Sequence, residues 1–247
     1  MLLLKIIGAA ILLPLIVALF IPIKKNDWQT ASRESAGIAP LPNKEKEAVV
    51  QIYAAKAFNW RGKFSLHTWM ATKEKDAASY QVFQVLMWGG YYGDSVVVIQ
   101  QDIPDRYWFD ERPKILFSAK GQKAEEMIPK IYEAVKSYPY PKFYRAYPGP
   151  NSNSFISHVM RLVSGFGVEL PSNAIGKDWI HDANFFGITE SRTGVQFSFY
   201  GMFGLTIGIA EGIEINLIGL TYGIDFLRPA IKLPILGRIG IQDKEPI

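Results

Sequence analysis

Eighteen consecutive residues from Ile6 to Ile23, IIGAAILLPLIVALFIPI, carry no charge and are bracketed by Lys5 and by Lys24 and Lys25. A run of that length reaches the lower end of what crosses the hydrocarbon of a bilayer as a helix. A cleaved signal peptide has a shorter apolar region and a small-residue cleavage site close behind it, and none follows Ile23. The run therefore reads as an uncleaved transmembrane anchor over residues 1–25, in which Pro14 is a tolerated kink. Lys5 and the terminal amine nearly balance Lys24, Lys25 and Arg33 on the other flank, so the positive-inside rule hardly orients it. A short N-terminal tail that stays in the cytoplasm puts the body on the periplasmic side, a single-pass membrane localisation with the lipid bilayer as first partner. Residues 26–47 are polar and contain Pro40 and Pro42, which reads as a linker.

Behind the anchor, a chain of 247 residues with 49% hydrophobic and 13% aromatic side chains can bury a sizeable core. The absence of cysteine removes disulfides, thiolate metal sites and a cysteine nucleophile. Lys and Arg exceed Asp and Glu by 27 to 23 and are dispersed, which gives nucleic-acid binding no support. The three histidines stand in separate segments without metal-ligand spacing, His181 beside Asp178 and Asp182, so no metal and no cofactor is expected.

From Ala48 onward, β-branched and aromatic runs such as AVVQIYAAKAF, KFSLHTWMATK, SYQVFQVLMW and SVVVIQQDI read as short strands. In QKAEEMIPKIYEAVKSY the residues Ala124, Met127, Ile128, Ile131, Ala134 and Val135 recur at helical spacing and predict a helix. A second helix opens at YPGPNSNSF, residues Tyr147 to Phe155, where Asn and Ser suit an N-cap. The dipole and free N–H groups at such a start also suit a nucleophile with an oxyanion site near Asn153. The serine there, Ser152, needs a general base. His67 is the one histidine of the strand region, sharing a strand face with Ser65 and Trp69, while Leu66, Thr68 and Met70 take the other. Tyr80, Gln81 and Gln84 on the next strand compete to orient it. Trp60, Arg61 and Gly62 form a polar-aromatic corner, and Arg61 suits an anionic group. His158, six residues beyond Ser152, lies on another azimuth of the helix.

A histidine strand, further strands, a helix and then Asn151, Ser152, Asn153, Ser154 and Phe155 resemble circularly permuted papain-like enzymes of the NlpC and lecithin retinol acyltransferase-like type. Those enzymes carry cysteine where this chain has Ser152. Over most of its length the chain more closely resembles the bacterial family called domain of unknown function 3750, through WRGKFSLHTWMATK, YPGPNSNSF and EGIEINLIGL. The papain-like resemblance implies an α+β protein with a permuted papain-like domain over residues 48–164. Beyond it, residues 165–247 read as a Gly-rich β extension, in which Glu214 and Asn216 alternate with Ile213, Ile215 and Leu217. Its apolar character suits a membrane-surface patch or packing on the anchor.

Two functions follow. One is a cell-envelope amide or ester hydrolase or acyltransferase with Ser152, His67 and Gln84 as catalytic residues and Asn151, Asn153, Arg61 and Trp69 holding substrate. The other is a catalytically silent relative that binds an envelope ligand or partner protein, which the absence of cysteine favours.

Overall fold

The computed structural model describes residues 2–22, 27–180 and 184–241, and its strands form two antiparallel sheets. Ahead of the sheets stands α1, Leu2–Phe20. It starts before Lys5 and stops at Phe20, so its charge-free part runs over residues 6 to 20, fifteen residues. At about 1.5 Å of rise per residue that part is about 22 Å long, against the ~30 Å of bilayer hydrocarbon. Among the described residues no helix is long and apolar enough to cross a membrane. This overturns the expected transmembrane helix, the α+β class built on it and the single-pass, periplasmic localisation. The end of α1 instead lies on the body: Pro14 and Ala18 are buried, and Ala18 O accepts a hydrogen bond from Lys63 Nζ at 3.0 Å.

The first sheet holds β1 (Val49–Lys56), β2 (Leu66–Lys73), β3 (Tyr80–Val85), β4 (Val97–Asp102) and β5 (Lys114–Lys120) in the order β4-β3-β2-β1-β5. A 3-10 turn, Asn59–Lys63, joins β1 to β2, and the short α2, Gly89–Tyr92, precedes β4. Two helices, α3 (Gln122–Lys136) and α4 (Ser152–Leu162), cover one face. All six residues that recur at helical spacing in α3 are buried. With Phe155, Ile156, Val159 and Met160 of α4 they meet Val50, Ile52, Met70, Phe83 and Phe117 of the sheet. The opposite face carries Tyr53, Trp69, Ala71 and Val82, which pack on Ala31, Trp108 and Phe109.

Residues 27–47, expected as a spacer, lie along this second face. Tyr80 Oη donates to Pro40 O at 2.9 Å. The buried carboxylate of Asp105 accepts from Ser35 Oγ at 2.8 Å and from the N–H groups of Ile38 and Ala39 at 2.7 and 3.1 Å. The segment's own unpaired N–H groups thus find an acceptor in the body, which sequence composition does not reveal.

The loop after α4 returns to the first core through Phe166, Leu170 and Ala174 before the second sheet begins. That sheet comprises β6 (Phe186–Ile188), β7 (Gly194–Phe199), β8 (Phe203–Gly208), β9 (Gly212–Leu217), β10 (Leu220–Asp225), β11 (Ala230–Leu233) and β12 (Gly237–Gly240), each paired with the next. Its polarity is inverted. Gln196, Ser198, Thr206, Glu214, Asn216, Thr221 and Lys232 are buried, whereas their strand neighbours Val195, Phe197, Leu205, Ile213, Ile215 and Ile231 are exposed. Register carries Val195, Ile207, Ile213, Ile224, Ile231 and Ile239 across the sheet as one outward row.

Replacing Asp105 by Ala is expected to lower the unfolding free energy in urea by about 3 kcal/mol, since it strips a charged acceptor from three donors. Amide exchange at Ile38 and Ala39 should accelerate with it. Were residues 27–47 a free spacer, the change would stay within about 0.5 kcal/mol.

Candidate functional site

Polar residues at the start of a helix must satisfy its first N–H groups, and Asn151 does so for α4. Its Oδ1 accepts from the N–H of Asn153 at 2.9 Å and of Ser154 at 3.2 Å, and Ser154 Oγ reciprocally accepts from Asn151 N at 3.2 Å, a capping box. The remaining polar atoms reach outward to other segments. Asn151 Nδ2 donates to Ala146 O and Ile175 O, both at 3.0 Å. Asn153 Nδ2 donates to Leu66 O at 3.0 Å and Ile175 O at 2.7 Å, and its Oδ1 accepts from Thr68 Oγ1 at 2.9 Å. Ser154 Oγ donates to Gly176 O at 2.7 Å. Gly176, at φ +99°, allows this approach: a Cβ there would stand 2.4 Å from Asn151 Nδ2.

These bonds decide what the motif can do. The N–H groups of Asn153 and Ser154, which an oxyanion needs, are already taken by Asn151. Both asparagine side chains, expected to hold substrate, are buried and bonded within the fold. Ser152 is 5% exposed, and its hydroxyl makes no hydrogen bond with a described residue.

His67 lies elsewhere. Thr68 of β2 bonds to α4, so the alternation of the strand turns His67 to the opposite face. There its ring stacks on Trp108 at 3.8 Å between centroids and on Trp69 at 5.6 Å, and Nε2 meets Gln84 Oε1 at 3.2 Å. The structure brings His67 and Gln84 together and sets the sheet between them and the helix of Ser152. Burial pushes the imidazole down to about 4, with the Gln84 contact pulling the other way. A base that weak at neutral pH takes a proton poorly from a serine hydroxyl. Trp69 is buried with Nε1 donating to Pro104 O at 2.7 Å. Arg61 sits exposed over the Trp60 ring at 5.0 Å. His181 and Asp182 lie outside the described residues, and among the described residues no group of three His, Asp or Glu is arranged to hold a metal.

Two features escaped the sequence reading. The first is a cleft of about 200 Å³ beside α4, lined by Tyr138, Tyr140, His158, Trp179 and Phe186 among others. Two of its residues carry buried polar atoms without a partner among the described residues, Tyr138 Oη and Trp179 Nε1. The aromatic, proline-rich approach YPYPKFYRAYPGP and the tryptophan of KDWIHD were its signals. The second is an ionic cluster on the inner face of the second sheet. Lys177 Nζ meets Glu214 at 2.7 Å and Asp178 at 3.4 Å, and Lys232 Nζ meets Glu214 at 3.0 Å and also pairs with Glu169. Burial opposes the charge on Lys177, but Asp178, Glu214 and Glu190 hold its pKa well above the ordinary lysine value. Burial, aided by Glu214, pushes Glu169 up to about 8 against the pull of Lys232.

Residues 47–179, more than half of the chain, match the model of a family described as protein of unknown function (DUF3750). No curated protein and no solved structure matches the chain.

The buried His67 makes stability depend on pH. The unfolded chain takes up the proton near pH 6.5 and the folded protein near 4, so the unfolded state binds more protons across that window and stability falls as pH drops through it. The loss amounts to about 3 kcal/mol by pH 4. Urea unfolding of the wild type and His67→Asn at several pH values should show their difference shrinking by that amount between pH 7 and 4. Parallel profiles would contradict a neutral, buried imidazole.

Proposed function

The chain belongs to the DUF3750 family, and we propose that it acts as a catalytically silent binding protein whose ligand occupies the cleft between Tyr138 and Trp179. The observation that carries this reading is that two residues lining one aromatic cleft each hold a buried polar atom without a partner among the described residues. A buried donor without an acceptor costs about 1–3 kcal/mol. Folded proteins keep such groups rarely, and a ligand that accepts both hydrogen bonds removes the cost.

The cleft suggests the ligand's chemistry. Tyr138, Tyr140, Trp179 and Phe186 offer ring faces, so the ligand presents an apolar or ring surface. Trp179 Nε1 can only donate, so the ligand brings a carbonyl or ether oxygen to it. Arg161, also at the cleft, is committed to Gln196 at 2.7 Å and Glu190 at 3.3 Å, so a neutral ligand fits better than an anion. The hydrolase or acyltransferase reading draws no comparable support, because Ser152 lacks a nearby base and free oxyanion donors.

The experiment is a screen of small cyclic carbonyl compounds, read by the tryptophan indole N–H resonances. Hits should shift the signal that disappears in Trp179→Phe. Tyr138→Phe and Trp179→Phe should each weaken the best hit about tenfold. Tyr138→Phe should also leave the ligand-free protein as stable or about 1 kcal/mol more stable, since it deletes an unpaired hydroxyl. Hits indifferent to both substitutions would sink the proposal, as would fluorophosphonate labelling that Ser152→Ala and His67→Ala both abolish.

A further inference from the structure

An antiparallel sheet exposed to water on one side normally turns its apolar residues inward and its polar residues outward. The second sheet does the reverse, and the reversal runs from β7 through β11. Its outward row of β-branched side chains has a second row beside it, Phe186, Phe197, Leu205 and Ile215, in continuous register. The turns at one end add Ile209, Phe226 and Leu227, each about two-thirds exposed. More than a dozen large side chains at roughly half exposure make an apolar surface on the order of 1,000 Å², above the ~300–600 Å² of the largest patch on an ordinary monomer.

Charge decides what covers it. In residues 184–241 all four acidic side chains, Glu190, Glu211, Glu214 and Asp225, are buried. The charge that does reach the surface is cationic: Arg192 is exposed in the turn between β6 and β7, while Arg228, partly exposed in the turn between β10 and β11, is paired with Asp225 at 3.3 Å. The antiparallel order puts both turns at the end of the sheet that carries Ile209, Phe226 and Leu227. A second copy laid face to face would bring like-charged rims and no exposed acid to meet them. An anionic lipid surface matches both parts, with acyl chains for the face and headgroups for Arg192 at its rim.

We infer that the outward face of the second sheet docks on an anionic lipid surface. Strands of about six residues rise about 20 Å, short of the ~30 Å hydrocarbon core. The face therefore lies in one leaflet and does not span the bilayer. This surface adjoins the cleft at Tyr138 through Phe186 of β6, but its main row, Val195 to Ile239, lines no part of that cleft and the inference stands whatever occupies it.

The test is flotation of the full chain with vesicles of equal phosphatidylglycerol and phosphatidylcholine, and with phosphatidylcholine alone. The wild type should float with the anionic vesicles and at least tenfold less with the neutral ones. Ile207→Thr, Ile213→Thr and Ile224→Thr combined keep β-branched residues in the strands. They should cut flotation at least tenfold while circular dichroism and the unfolding midpoint hold. Arg192→Gln, which leaves the face intact, should weaken binding about fivefold at low salt and little at high salt. Three results would overturn the inference: no flotation of the wild type, equal flotation with both vesicles, or a wild-type dimer in sedimentation that the threonine variant converts to monomer. Should the triple variant unfold, lipid-composition dependence and Arg192→Gln decide alone.

Discussion

The two sheets are held together by the polar stripe of α4. Asn151, Asn153 and Ser154 bind the carbonyls of Ile175 and Gly176, and one turn further Ser157 Oγ donates to Lys177 O at 2.7 Å. Arg161 continues the stripe with bonds to Lys177 O at 3.1 Å and Ile188 O at 3.0 Å. At the other end Asn153 grips Leu66 and Thr68 of the first sheet. One helix thus converts the backbone groups of an irregular loop, which would otherwise be buried without partners, into a joint.

What that joint delivers is Lys177 and Asp178, set against the inner face of the second sheet. Asp178 accepts from Gln196 at 2.5 Å, Asn216 at 2.8 Å and Thr221 at 3.0 Å, three strands bonded to one carboxylate. Lys177 and Lys232 flank Glu214. Buried charges are tolerated only when paired and hydrogen-bonded, and removal of one partner leaves the other uncompensated. The sheet therefore has a polar interior that depends on a segment delivered by α4, while its apolar side chains are left on the outside. Cohesion comes from its ladders and from this cluster more than from apolar burial within the sheet.

How much of this the residues disclosed varies with the kind of information required. The six core positions of α3 and the N-cap of α4 were legible, because periodicity and capping chemistry are local. The alternation of Ile213, Glu214, Ile215 and Asn216 was legible too, but alternation does not say which face is inside. Here the partners that decide it, Lys177 and Lys232, are distant in sequence. The same limit applies to His67 and Ser152. Strand alternation separated His67 from Thr68, yet only packing tells which of those faces receives α4. The charge-free run lost its meaning as a span when the helix ended at Phe20, and Asp105, some seventy residues away, turned an apparent spacer into part of the body. The comparison with cysteine enzymes rested on an Asn-Ser start, which serves a cap and a nucleophile equally well.

The central claim, that Asn-Ser-Asn-Ser is a joint between the two sheets, is tested most directly by equilibrium unfolding of Asn153→Ala beside Ser152→Ala. Asn153→Ala removes the side-chain bonds to the Thr68 hydroxyl and to the Leu66 and Ile175 carbonyls, of which Ile175 O keeps only Asn151 Nδ2, and should cost about 2 kcal/mol or more. Ser152→Ala removes a hydroxyl that bonds to no described residue and should stay within about 0.5 kcal/mol. A protein indifferent to Asn153→Ala, or one that Ser152→Ala destabilises as strongly, would contradict the account.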